Sequence, residues 1–121
     1  MGCEPGLYHE LDVYQGDTLE FEVTYTEGES GYEVGKSLTG ATIASEIKLE
    51  QGSGATVTTM TCTADADQTA NPGVLTVVLP AANSALLTER HYWYDVEVTW
   101  ADATVQTILW GRITTTQGVT N

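Results

Sequence analysis

Few residues in this chain are placed to do covalent chemistry. The histidines are His9 and His91. His91 stands where a strand is expected to begin, and no neighbour is positioned to make it a general base. No serine sits in a Gly-x-Ser-x-Gly elbow, and neither Cys3 nor Cys62 has a histidine in a known local pattern. The 17 Asp and Glu residues contain enough carboxylates for an acid/base pair. Most of them alternate with apolar residues, however, which marks a solvated sheet face. Asp65-Ala66-Asp67 with Asn71 offers oxygen donors of the type calcium takes. The EF-hand pattern fails there for want of Gly and Glu at the required offsets, and loop aspartates more commonly cap turns. Gly52-Ser53-Gly54 lacks the lysine and following helix of a phosphate loop and reads as a turn. Two cysteines are too few for a disulfide scaffold, and their spacing fits no zinc motif. A Cys3–Cys62 bridge and two free thiols both stay open. The expectation is a protein without catalytic residues, cofactor or metal.

Recognition residues are better represented. His91 to Trp100 alternates strictly, with Tyr92, Tyr94, Val96, Val98 and Trp100 on one side and Trp93, Asp95, Glu97 and Thr99 on the other. A two-residue turn at Asp102-Ala103 would lead into a partner strand, Val105 to Thr115. In that register Trp100 faces Val105, Asp95 faces Trp110 and Trp93 faces Arg112. Trp93 and Trp110 then become diagonal neighbours on one face. Tyr92, Tyr94, Val96, Val98, Leu109 and Ile113 fall on the opposite face, as core. Trp and Arg anchor interfaces, and Arg112 beside two indoles suggests a cation–π contact. Trp93, Trp110 and Arg112 are therefore the candidate protein interface. The competing reading is that a loop or the N-terminal arm covers the tryptophans within one subunit.

The rest of the chain must position that hairpin. Its 121 residues are one domain's worth, enough to bury a core without metals or disulfide staples. Four Lys+Arg against 17 Asp+Glu give a net charge of −13, which excludes binding nucleic acid through charge. It also argues against docking on an anionic membrane. No apolar run reaches the length of a transmembrane helix. Nothing apolar precedes Cys3, and Gly6 stands where a myristoylation signal needs Ser or Thr. Synthesis and maturation in the cytoplasm are expected. Residues 1–35 hold nine carboxylates and no Lys or Arg, read as a solvated acidic face or as steering towards a basic partner.

Period-two alternation dominates the rest, and 20 threonines favour strands. Leu11 and Val13 point inward on a short strand that ends in the turn Tyr14-Gln15-Gly16-Asp17. Leu19, Phe21, Val23 and Tyr25 face in on the next, against Glu20, Glu22, Thr24 and Thr26. Glu27 to Ser37 reads as a flexible loop. Ile43, Ile47 and Leu49 face in on a strand that a hairpin joins to Ala55–Thr63. Asn71-Pro72-Gly73 turns into the apolar strand Val74–Leu79, and Pro80 to Leu87 suits a short helix. Residues 1–10 are unpatterned and read as an arm, and 11–121 as one domain. The fold expected is all-β, an antiparallel immunoglobulin-like β-sandwich of about seven strands with at most one short helix. A small barrel is the alternative.

These segments also resemble a family. Tyr14-Gln15-Gly16-Asp17-Thr18-Leu19-Glu20-Phe21 resembles the opening signature of immunoglobulin-like modules in tailed-bacteriophage virion proteins, such as the N-terminal domain of the phage baseplate upper protein. Leu38-Thr39-Gly40-Ala41-Thr42 is similar to the turn into that family's third strand. Gly73-Val74-Leu75-Thr76-Val77 is similar to its middle strand. Tyr92-Trp93-Tyr94-Asp95-Val96-Glu97-Val98-Thr99 resembles its Tyr-x-Tyr-Asp strand, and Trp110-Gly111-Arg112-Ile113-Thr114 its closing segment. The likeness spans roughly residues 11 to 120. It implies a non-enzymatic virion structural protein located in the virion: a cement or decoration protein on the capsid, or an adaptor on the tail or baseplate. Its implied partners are other virion proteins and further copies of itself in a symmetric homo-oligomer. The alternative is a carbohydrate-binding sandwich that uses Trp93, Trp110 and Tyr92 as a sugar platform on the host surface.

Overall fold

A computed structural model describes residues 7–27, 34–50 and 53–116. The protein is all-β. Its strands are β1 (Leu7–Tyr8), β2 (Leu11–Tyr14), β3 (Leu19–Thr24), β4 (Thr26–Glu27), β5 (Val34–Gly35), β6 (Thr42–Glu50), β7 (Ser53–Ala64), β8 (Val74–Leu79), β9 (His91–Thr99) and β10 (Val105–Thr116). A single turn of helix, α1 (Ala81–Ser84), follows Pro80. One sheet runs in the order β1-β10-β9-β6-β7-β8-β3, and β2 also pairs with β10. The sheet curls until it is nearly closed, like a barrel. β4 and β5 form a separate two-stranded ladder.

The sheet is mixed, which corrects the expectation of a wholly antiparallel one. β1 and β2 run parallel to β10, with Tyr8 beside Trp110 and Leu11 beside Ile113. Hairpin geometry dictates antiparallel pairing only for strands joined by a tight turn. β2 and β10 lie near opposite ends of the chain, so no such turn constrains them. The turn after β2 closes with Asp17 N donating to Tyr14 O at 3.0 Å, and Gly16 takes φ 92° there. Ser84 fastens this turn to α1: its Oγ accepts from Gly16 N at 2.9 Å and donates to Asp17 O at 2.7 Å.

The core follows the alternation. Leu75, Val77 and Leu79 of β8 and Val96 and Val98 of β9 are wholly buried, and Leu11, Val13, Ile47, Leu109 and Ile113 join them. Two tyrosines are buried with their hydroxyls satisfied, as such groups require. Tyr92 Oη accepts from Glu89 N at 2.8 Å, and Tyr94 Oη donates to His9 O at 2.7 Å. Leu49 departs from the pattern. Register shifts after Ile47 and after Lys48 turn it outward, leaving it 51% exposed. The expected loop 27–37 begins and ends in paired strands, Thr26 with Gly35 and Glu27 with Val34. Its residues 28–33 lie outside the described residues, as do residues 1–6 of the expected arm. Leu7 and Tyr8, at the arm's other end, are paired with β10.

The β9–β10 hairpin carries two compensating departures. Its loop is one residue longer than expected: Trp100 N donates to Thr104 O at 2.8 Å and Ala103 N to Trp100 O at 2.8 Å. Val105 therefore pairs with Thr99 rather than Trp100. A bulge between Thr107 and Leu109 then absorbs one residue, which is why Ile108 and Leu109 are buried in succession. Beyond the bulge Trp110 faces Asp95 and Arg112 faces Trp93, as expected. Ala103 closes the loop at φ 74°, a left-handed conformation that glycine adopts without steric cost. Ala103→Gly is expected to stabilise the fold by about 1 kcal/mol. That would raise the thermal midpoint by about 4 °C. A midpoint that is unchanged or lower in a melting experiment contradicts this reading of the turn.

Candidate functional site

The outer face of β1, β10, β9 and β6 gathers the aromatic and cationic residues. Register fixes the rows. Tyr8 lies beside Trp110, Trp110 beside Asp95 and Asp95 beside Glu46; one row on, Arg112 lies beside Trp93 and Trp93 beside Lys48. Trp93 and Trp110 stack with centroids 6.2 Å apart and planes at 20°, and Tyr8 meets Trp110 edge-on at 4.7 Å. Both tryptophans are half-buried, so neither is sealed within the chain. Arg112 is 43% exposed, yet its Nε is buried and has no hydrogen-bond partner among the described residues. Its Nη2 lies 3.9 Å from Glu10 Oε2, and the same oxygen accepts from Tyr8 Oη at 2.7 Å. That hydrogen bond to the Glu10 carboxylate pushes the Tyr8 phenol up from its ordinary pKa.

The structure thus brings Trp93, Trp110 and Arg112 together. It adds Tyr8 and Glu10, which sequence reasoning left in the arm. Their i, i+2 spacing was the available signal, but only the parallel pairing of β1 with β10 places them beside Trp110. Among the described residues the cation–π contact falls elsewhere, with Lys36 Nζ 4.2 Å from the Trp100 ring centre rather than at Arg112. Tyr92 is 2% exposed and points into the core, so it cannot serve as a sugar platform beside the tryptophans. It occupies the opposite side of β9 from Trp93, as period two requires.

Asp95 sits half-buried on this face. Burial, then the neighbouring charges of Glu97 and Glu46, push its carboxyl up against the lowering effects of a Glu46 backbone hydrogen bond and Lys48. A raised carboxyl pKa means that the fold favours the protonated form. The associated stability is therefore present below the unfolded pKa and lost as pH rises through the folded one. Asp95→Asn is expected to stabilise the protein near neutral pH. The gain should shrink as pH falls through the carboxylate range, when measured by denaturant midpoints. A gain of the same size at both ends of that range contradicts the assignment.

The Asp65 and Asp67 carboxylates are engaged within their own loop. Asp65 Oδ1 accepts from Asp67 N at 2.9 Å, and Asp67 Oδ1 accepts from Ala70 N at 3.0 Å, so both carboxylates cap turns. His91 is exposed at the start of β9. The exposed His9 ring lies 6.4 Å from Phe21. Cys62 is a free thiol whose pKa burial pushes up to about 11, and Cys3 lies outside the described residues. A shallow cleft of ≈ 470 Å³ opens among Thr88, Glu89, Arg90, Thr114, Thr115 and Thr116. Among known proteins, the chain matches no family model and no curated sequence.

Proposed function

We propose that this protein is a non-enzymatic structural module that works by contact, and that the stacked Trp93–Trp110 face is its main contact surface. One observation carries the reading. Two indoles lie partly open on the outer sheet face, bordered by Arg112, whose buried Nε has no partner among the described residues. Aromatic residues and arginine are enriched where interfaces concentrate their binding energy. An unsatisfied guanidinium nitrogen gains most when a partner supplies an acceptor and excludes water.

In the finer description of the fold, the curled sheet is an immunoglobulin-like sandwich whose two layers share β7. The support is that β7 pairs with β6 as far as Met60 and with β8 from Thr61 onward. Together with the resemblance of the Tyr14–Phe21, Tyr92–Thr99 and Trp110–Thr114 segments to phage modules, this suggests a virion location. There the protein would decorate a capsid, or adapt a tail or baseplate, as one of several copies in a symmetric oligomer. Mass spectrometry of purified particles tests the location: the protein is expected at a fixed stoichiometry with a major structural subunit. Its absence from particles, or a specific signal on a glycan array, would replace this reading with a sugar-binding one.

A further inference from the structure

The sheet ends at β3, whose ladder pairing is entirely with β8. In an antiparallel pair every second residue directs its N–H and C=O away from the partner strand. The far edge of β3 therefore presents a row of backbone groups that no described strand takes up. Natural edges are commonly blunted by proline, a bulge or charged side chains. Leu19-Glu20-Phe21-Glu22-Val23-Thr24 has no proline and runs in unbroken register with β8; its only charges are Glu20 and Glu22, which repel an acidic strand and admit a basic one.

Burial points to the same edge. Leu75, Val77 and Leu79 of β8 are 0% exposed, whereas their direct partners Val23, Phe21 and Leu19 are only partly buried. The apolar layer is thus incomplete on its β3 side. On the outward side Glu20 and Glu22 are exposed, and no described cation is committed to them. Lys48 pairs with Glu46 and Arg112 with Glu10; Lys36 lies over Trp100, and Arg90 lines the cleft with Glu89.

We infer that β3 is a strand-acceptor edge, which takes an extended segment of another protein with aliphatic residues facing inward and Lys or Arg facing outward. Main-chain hydrogen bonds would supply the affinity and the alternating side chains the selectivity. A second copy of this edge is a poor occupant, because pairing it with itself sets Glu20 and Glu22 against like charges. This edge belongs to a different strand from the tryptophan face: β3 pairs with β8, whereas the stacked tryptophans lie on β9 and β10.

The test uses the full chain and capped seven-residue peptides, one alternating valine with lysine and one alternating valine with glutamate. Amide chemical shifts and hydrogen exchange report where each peptide binds. The Val/Lys peptide is expected to shift and protect outward-pointing amides within Leu19–Thr24, and to bind about tenfold more tightly than the Val/Glu peptide, as two exposed charge pairs warrant. The double variant Glu20→Lys/Glu22→Lys, with native folding verified by its melting curve, should reverse that order. Unmoved β3 amides, equal binding of both peptides, or an unreversed preference in the charge-swapped variant would each overturn the inference.

Discussion

Gly111→Ala is expected to cost about 3 kcal/mol, close to the cost of overpacking a tight contact together with losing a buried hydrogen bond. Gly111 lies where the connection between β1 and β2 crosses β10. A Cβ built there would stand 1.9 Å from His9 O and 2.7 Å from His9 C. Backbone must move to admit it. The same His9 carbonyl accepts the buried Tyr94 hydroxyl, and His9 N donates to Trp110 O at 2.8 Å. One methyl group therefore strains the parallel pairing of β1 and leaves a core hydroxyl without its acceptor. Tyr94→Phe, which removes only the hydroxyl, should cost about 1 kcal/mol. The comparison of the two variants in urea denaturation checks the mechanism. If Gly111→Ala loses no more stability than Tyr94→Phe, the close approach of His9 does not hold the N-terminal strands.

Gln68→Leu is expected to cost a similar amount, about 3 kcal/mol, because it strands two buried donors at once. Gln68 is 9% exposed and makes four hydrogen bonds. Its Oε1 accepts from Leu38 N at 2.8 Å and from Gly73 N at 3.0 Å, while its Nε2 donates to Asp65 O at 3.0 Å and Val74 O at 3.1 Å. This one side chain ties the segment before β6 to the loop between β7 and β8. The loop is tight as well: Gly73 takes φ +83°, and a Cβ there would stand 2.2 Å from Tyr25 O. Leucine fills the volume of Gln68 but offers no acceptor. Urea denaturation should show the full loss, and faster exchange of the Leu38 and Gly73 amides should accompany it. A loss below about 1 kcal/mol would mean that water replaces the amide readily.

The Gln68 cluster marks what the sequence could not convey. A polar residue in a loop of Asp, Ala, Thr and Asn carries no periodicity, so its burial depends on three backbone segments meeting in space. The strands were legible for the opposite reason. Alternation assigns each residue of β3, β8 and β9 to a face without reference to a partner. Tyr92, Tyr94, Val96 and Val98 are accordingly buried where expected, and Trp93 lies on the other face. Alternation does not name the neighbouring strand. The parallel docking of β1 and β2 on β10 joins distant parts of the chain and leaves no local mark, so Tyr8 and Glu10 went unassigned. Bulges are equally silent. The extra residue near Ile108 happened to cancel the longer turn at Ala103, and the Trp93–Arg112 register came out right through two offsetting errors. At Leu49 the two register shifts of the β6–β7 ladder do not restore the expected face, and the residue faces solvent.

Gly111 was readable in part, since a glycine inside a strand signals a bulge or a close backbone approach. The structure selects the close approach, and the chain that approaches is its own N-terminal segment.

The decisive measurement compares wild-type protein with a Trp93→Ser/Trp110→Ser variant for binding to phage particles that lack the protein, after melting curves have established that both are folded. If the tryptophan face is where the module grips its neighbours, the variant binds at least about thirtyfold more weakly, the loss expected when an interface hot spot is removed. A folded variant that occupies particles as fully as the wild type, or a wild type that does not bind them, would contradict the account.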